Sequence, residues 1–122
     1  MSQHNETGKI GEELARSFLL KKGYKILDIN WRYNFKEIDI IAQQNNIMVF
    51  VEVKTRSTLA FELPQEAVTP KKMKNLVYAA DVYLNLKNIE FESRFDIVTV
   101  LTKDEPKILE HIEGAFQAND LI

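Results

Sequence analysis

The sequence predicts a mixed β-sheet covered by at least two helices, an α/β or α+β sandwich. Three observations carry that expectation. Helical and strand-like runs follow one another in the order αβββαββ. The run IMVFVEVK (47–54) is apolar on both faces until its end, as a central strand is. The 122 residues contain no repeat, low-complexity tract or Pro/Gly-rich linker that would divide them. We expect one domain over residues 1–122, with residues 1–7 as a flexible N-terminus.

Residues 8–22 read as the first helix. Ile10, Leu14 and Phe18 recur at i, i+4 and i+8, Ala15 and Leu19 widen the stripe, and Gly23 supplies the stop. YKILDI (24–29) is the first strand. KEIDIIA (36–42) and IMVFVEVK flank the polar QQNN, a hairpin signal because Asn tolerates left-handed turn geometry. The loop that follows, TRSTLAFELPQEA, is too long to be idle in a chain this small. Thr69 and Pro70 then supply a cap and a first-turn residue for a second helix over roughly 70–86. Its stripe is Met73, Leu76, Val77, Ala80 and Leu84, with Lys72 and Lys74 off it. RFDIVTVL (94–101) and KILEHI (107–112) are the last strands, and DEP turns between them.

Composition bounds the function classes. Hydrophobic residues make up 45% and charged residues 28%, an ordinary balance for a soluble globular chain. With no cysteine, disulfides and thiolate metal sites are excluded, and a reducing compartment is allowed. The start, MSQHNETGKIGEE, lacks the apolar core of a signal peptide, and no apolar run approaches the roughly 20 residues of a membrane span. The expectation is a cytoplasmic protein with no membrane contact. Net charge is −2, yet residues 54–74 hold Lys54, Arg56, Lys71, Lys72 and Lys74 against Glu62 and Glu66, a local net of +3. Such a basic stretch suits phosphates, and equally well an ordinary solvated surface.

The chemistry gathers on the third strand. Side chains alternate, so Met48, Phe50, Glu52 and Lys54 share one face while Ile47, Val49, Val51 and Val53 share the other. Were the first face simply wet, Met48 and Phe50 would be wet with it. A central strand that turns charged only near its C-terminal end instead opens into a cleft. The hairpin brings a second carboxylate there. Residues paired across an antiparallel hairpin have a fixed sum, and an Asn45-Asn46 turn gives 91, setting Asp39 opposite Glu52. A four-residue loop gives 89 and leaves Glu52 diagonal to Asp39. Any even loop puts the two on one face within about 8 Å, and an odd loop separates them.

Two carboxylates so close in apolar surroundings repel and are poorly solvated, and a divalent cation is the simplest reason to keep them. Hard oxygen ligands on a partly open site suit Mg²⁺ or Mn²⁺. A lysine two residues away on the same face can hold an attacking water or steady a phosphate. Asp followed by Glu-x-Lys on adjacent strands is thus a minimal kit for metal-assisted phosphodiester hydrolysis.

The segments GKIGEELA (8–15), NWR (30–32), EIDII (37–41), VFVEVKTR (49–56), EAV (66–68) before a Lys-rich helix, and RFD (94–96) occur in one order. Together they resemble the uncharacterised bacterial YraN family, from about Gly8 to Phe116. That family is similar to the PD-(D/E)xK nucleases, especially archaeal Holliday-junction resolvases. The resemblance implies a restriction-endonuclease-like α/β fold with a mixed central sheet flanked by helices. It implies Asp39 and Glu52 as metal ligands, helped by the Val53 carbonyl, and Lys54 as the catalytic lysine. Glu12 becomes an outer carboxylate that orients a metal-bound water or a second ion. The activity implied is Mg²⁺- or Mn²⁺-dependent endonucleolytic cleavage of DNA, of branched or otherwise non-B structure. A non-catalytic nucleic-acid-binding module on the same scaffold is the alternative. Resolvases of this kind work as homodimers, which extends here by analogy. Two departures stand out: Lys36 where the family usually has glycine, and no glycine before Pro64 in Phe61-Glu62-Leu63-Pro64.

Arg56, Gln65, Lys71, Lys72 and Lys74 are the candidate nucleic-acid contacts, the lysines having a solvated helix face as their plain alternative. Without the resemblance, Glu12 and Glu13 read as residues favoured by the helix dipole. Glu37 marks the open end of its strand. Trp31, Tyr33 and Phe35 read as core aromatics rather than base-stacking ones. His4 and His111 have no ligand spacing, GKIG is too short for a P-loop, and no G-x-S-x-G occurs, so metal-histidine, nucleotide-triphosphate and serine-hydrolase readings lack support.

Overall fold

The computed structural model describes residues 6–56 and 68–121. Its elements are α1 (Glu6–Lys21), β1 (Lys25–Tyr33), β2 (Lys36–Gln44), β3 (Ile47–Arg56), α2 (Pro70–Lys87), β4 (Glu92–Leu101) and β5 (Lys107–Phe116), closed by a short 3-10 helix at Ala118–Leu121. The strands form one sheet in the order β1-β2-β3-β4-β5, with β3 and β4 parallel and every other pair antiparallel. A parallel pair needs a crossover, and α2 is that crossover. A helix lies on each face, so this is an α/β fold with a mixed sheet, consistent with the restriction-endonuclease-like arrangement. Of the N-terminal stretch, Glu6 and Thr7 open α1, and residues 1–5 lie outside the described residues. Among the described residues no helix is long and apolar enough to cross a membrane.

The core is two layers with β3 between them. On the α2 side Ile38, Ile41, Met48, Phe50 and Phe95 pack against Leu76, Ala79, Ala80 and Tyr83. On the α1 side Ile40, Ala42, Val49, Val51, Val98 and Val100 pack against Ala15 and Leu19. Strand β3, central in order and apolar on both faces, is buried from Met48 to Glu52. Apolar burial of this kind contributes about 1.5–3 kcal/mol per large side chain.

Local chemistry sets the element ends. Thr69 caps α2 by accepting the Lys72 N–H at 3.2 Å, Pro70 fills the first turn, and Asn88 in the left-handed region ends it. Gly23 (φ 95°) terminates α1, freeing Tyr24 N to donate back to Leu19 O. Gly11 is buried where α1 crosses β3, and a Cβ there would overlap Thr55 Cγ2. The β1–β2 turn has Asn34 and Phe35 at φ 50° and 66°, the paired positive angles of a type I′ hairpin. Asn suits the first position. The second favours glycine, and a bulky residue held left-handed costs on the order of 1–2 kcal/mol.

Candidate active site

The β2–β3 ladder runs from Gln44–Ile47 to Ile40–Val51 around the two-residue turn Asn45-Asn46. The next pair in that register is Asp39 with Glu52, the arrangement expected from a sum of 91. Pairing stops there because β2 twists. Ile38 packs on the α2 side and Ile40 on the α1 side although they are two residues apart. On β1 the distortion is matched by Asn30 (φ 50°), between the Ile29–Ile40 and Trp31–Ile38 pairs. The strands part, and Asp39 turns into the gap, where its Oδ2 accepts the Val53 N–H at 2.8 Å.

Burial and like charge dominate the electrostatics. Burial, then the neighbouring Glu52 charge, push the Asp39 carboxyl well above its ordinary pKa, with Glu12 adding to the rise and the Val53 N–H opposing it. Burial also pushes Glu52 up, against the pull of Lys72 and Lys54. Lys72 reaches from the first turn of α2 and sets Nζ 2.6 Å from Glu52 Oε2. Although burial disfavours its charge, the pairing with Glu52 keeps the Lys72 pKa above the ordinary value.

Two clefts meet at Asp39. One, of about 370 Å³, is lined by Asp39, Glu52, Glu37, Lys71, Lys72 and Phe35 among others. The other, of about 210 Å³, has Asp39, Glu12 and Asn30 in its wall. Asp39, Glu52, Lys54 and Glu12 are therefore neighbours: Glu12 acts on the charge of Asp39 and Lys54 on that of Glu52. The Val53 carbonyl belongs to the same stretch of β3, whose N–H is already committed to Asp39. Glu37 lines the larger cleft and pairs with Arg32 Nε at 3.5 Å.

The expected nucleic-acid contacts divide. Lys71 lines the cleft, and Lys72, its side chain still 55% exposed, reaches from the helix surface to Glu52. Lys74 is exposed on α2 outside the clefts. Arg56 ends β3, its carbonyl accepting from Thr102 N and Oγ1 at 2.8 and 3.1 Å. Gln65 lies outside the described residues, as does Glu62. The core reading of the aromatics is half right. Trp31 packs on the α2-side core, but Tyr33 is 38% exposed and Phe35 107%, because β1 runs on to Tyr33 and the turn projects beyond the sheet.

Sequence reasoning missed a second buried carboxylate. Asp96 accepts from Arg94 Nε and Nη2 at 2.9 Å each, from the Gly114 N–H at 3.0 Å and from His111 Nε2 at 2.8 Å. Lys22 Nζ lies 2.8 Å from His111 Nδ1, which makes Nδ1 the acceptor and Nε2 the donor. Burial alone would raise Asp96, but the hydrogen bonds from His111, Arg94 and Gly114 outweigh it and hold the carboxyl below its usual value. Both ring nitrogens of His111 are thus engaged, and the ring braces Asp96. The alternation in Arg94-Phe95-Asp96 was the available signal, since it puts both charges on one face.

A sequence profile described as "Uncharacterised protein family UPF0102" matches residues 11–100. The chain is 48% identical over 120 residues to a UPF0102 protein of Flavobacterium johnsoniae, covering 95% of this chain and 98% of the relative. It is 43% identical over 116 residues to one of Phocaeicola vulgatus and 46% over 116 residues to one of Bacteroides thetaiotaomicron, each match spanning 95% of this chain and 96% of the relative.

Proposed function

This chain belongs to the uncharacterised protein family UPF0102, and we propose that it is a divalent-metal-dependent endonuclease hydrolysing phosphodiester bonds of DNA. One observation carries the reading. The buried Glu52 and the half-buried Asp39, both raised above their ordinary pKa, meet where two strands part into an open cleft with Lys54 and Lys72 beside them.

The donor set fits Mg²⁺ or Mn²⁺ of the kind that works on phosphates. Among the described residues no three His, Cys, Asp or Glu side chains come together as a group that could hold a metal ion. A cation here would rest on Asp39, Glu52, the Val53 carbonyl and water, and Mg²⁺ usually keeps several waters. When bound it supplies charge to the phosphate oxygens and lowers the pKa of a water. The protein's own groups do the rest. Lys54 orients the attacking water or the phosphate. Glu12, across Asp39 in the second cleft, orients water in the outer shell. Lys72 neutralises Glu52 in the metal-free site, and once released its ammonium is available to a phosphate oxygen. Lys71 and Arg56, with Lys74 further out, meet the backbone, and Gln65 joins them as a candidate from its place in the sequence alone. Cutting two strands symmetrically takes two copies, so the proposal includes a homodimer, acting in the cytoplasm where DNA is. Branched DNA is the substrate class that the family resemblance suggests.

The test is cleavage of labelled linear, nicked, flap and four-way DNA in Mg²⁺ or Mn²⁺. Wild type should cut at least one, and Glu52→Gln and Lys54→Ala should each lose more than about 100-fold. Calorimetric titration with Mn²⁺ should show binding that Asp39→Asn removes. Binding of DNA by wild type with no cutting of any substrate would return the chain to the non-catalytic module.

A further inference from the structure

We infer that Phe35 is a base-stacking platform, which takes the face of an unpaired nucleobase and so holds the adjoining phosphate at the cleft of Asp39 and Glu52. The inference rests on the nuclease reading for the identity of the polymer.

Four observations converge on this side chain. Its ring is 107% exposed, the most of any large apolar residue described. It occupies a left-handed position, φ 66°, where glycine is favoured, so neither solvation nor backbone geometry explains an aromatic there. It lines the same cleft as Asp39, Glu52 and Lys72. It is also rigidly mounted. The Tyr33–Lys36 pair closes the turn, the Tyr33 ring stacks on Trp31 within 7° of parallel, and Trp31 meets the buried Tyr83 edge-on at 5.2 Å.

The surroundings select the partner. A protein-docking surface is depleted of charge at its centre, whereas Phe35 shares its cleft with the cations Arg32, Lys36, Lys71 and Lys72, Arg32 pairing with Glu37 and Lys72 with Glu52. Lys36 Nζ lies 5.0 Å above the Tyr78 ring, joining charge to a second exposed aromatic. An aromatic face amid cations is the pairing used for nucleic-acid strands, in which each base offers a π-face and each phosphate a charge. A continuous duplex offers side chains only base edges in its grooves. A base face becomes available where a base is unpaired or flipped out. The ligand class is therefore a DNA strand with an unpaired base beside the phosphate to be cut.

The experiment is a cycle between the ring and the base. Binding is measured by fluorescence anisotropy to a duplex carrying one extra unpaired adenosine, and to the same duplex with an abasic residue in its place. The Glu52→Gln background keeps strands intact. The proposal expects tighter binding of the adenosine bulge, on the order of tenfold, and loss of that ratio in Phe35→Ala and Phe35→Gly but not in Phe35→Trp. Phe35→Gly relieves the left-handed strain, so it melts no lower than the parent and its loss of selectivity is not misfolding. Equal affinities for the two duplexes in the parent, or a ratio unchanged in Phe35→Ala, would overturn the platform. Cutting by wild type in that case leaves the nuclease reading standing. Conversely, a Phe35-dependent ratio in a protein that cuts nothing keeps the platform and removes the nuclease.

Discussion

Glu52 and Asp96 stand on adjacent strands of one sheet, facing opposite layers, and are 3% and 0% exposed. Their surroundings differ in every other respect. Asp96 receives four hydrogen bonds from groups that the fold fixes: two from Arg94 on its own strand, one from His111 and one from the backbone of Gly114 on β5. The β4–β5 register even slips between Phe95–Phe116 and Ile97–Ile112, and Gly114, at φ 60°, aims its N–H into the gap. Asp39 takes one backbone N–H, while Glu52 has Lys72, whose side chain is itself 55% exposed, and the charge of Lys54. The first cluster lowers its carboxylate's pKa and the second raises both of its own. A buried charge fully compensated by its fold holds the sheet together. A carboxylate pair whose pKa stays raised despite two neighbouring lysines is the arrangement that the proposed cation would relieve.

The contrast breaks most visibly in stability. Removing Asp96 leaves Arg94 Nε, His111 Nε2 and the Gly114 N–H without their acceptor, so Asp96→Ala should lose about 3–5 kcal/mol in urea denaturation. Asp39→Asn, which removes a repulsion, should be as stable as wild type or more so. Equal losses for the two would erase the distinction.

A smaller effect should show in pH dependence measured in EDTA. Asp39 and Glu52 rise on folding from ordinary values of 3.8 and 4.5. The folded protein keeps protons that the unfolded chain releases, so their contribution to stability falls as pH climbs from about 4 through the raised values. Asp96 has the opposite sign. Its contribution is complete above the ordinary 3.8 and is lost as pH drops below it toward the lowered value. The stability advantage of Asp39→Asn over wild type should therefore widen from pH 4 to pH 7, and saturating Mn²⁺ should close it by stabilising wild type alone. A difference independent of pH would show that folding does not shift these groups.

The smallest effect belongs to Lys72. Its ion pair is half in water, so Lys72→Met should change stability by less than about 1 kcal/mol. Calorimetry should meanwhile show Mn²⁺ binding severalfold tighter, because Glu52 no longer has an ammonium to give up. Weaker Mn²⁺ binding would make Lys72 a support of the metal site rather than its competitor.

What was legible in the sequence was whatever depends on neighbours along the chain. The two-faced apolarity of β3 gave its central position, and the polar QQNN gave the hairpin, while only the structure chose the two-residue Asn45-Asn46 turn among the loops that parity left open. Thr69 and Pro70 gave the start of α2. The contacts that escaped come from three dimensions. Lys72 meets Glu52 only because the crossover swings the first turn of α2 over the end of β3, a direction no periodicity encodes. His111 reaches Asp96 through a register interrupted by bulges. Phe35 read as core because aromatics near a strand usually are, whereas β1 continues to Tyr33 and puts Phe35 in the exposed turn before β2.

Gly11 has a consequence of scale. By leaving out one methyl group it lets α1 rest against Thr55, and the next residue, Glu12, is delivered to the wall that also holds Asp39. The spacing between helix and strand is thus set by an atom the sequence omits. A single added carbon would act as a shim, tilting a whole helix and moving one carboxylate relative to another without altering any group that meets substrate. Reach across this site is adjustable from behind, by the thickness of its packing.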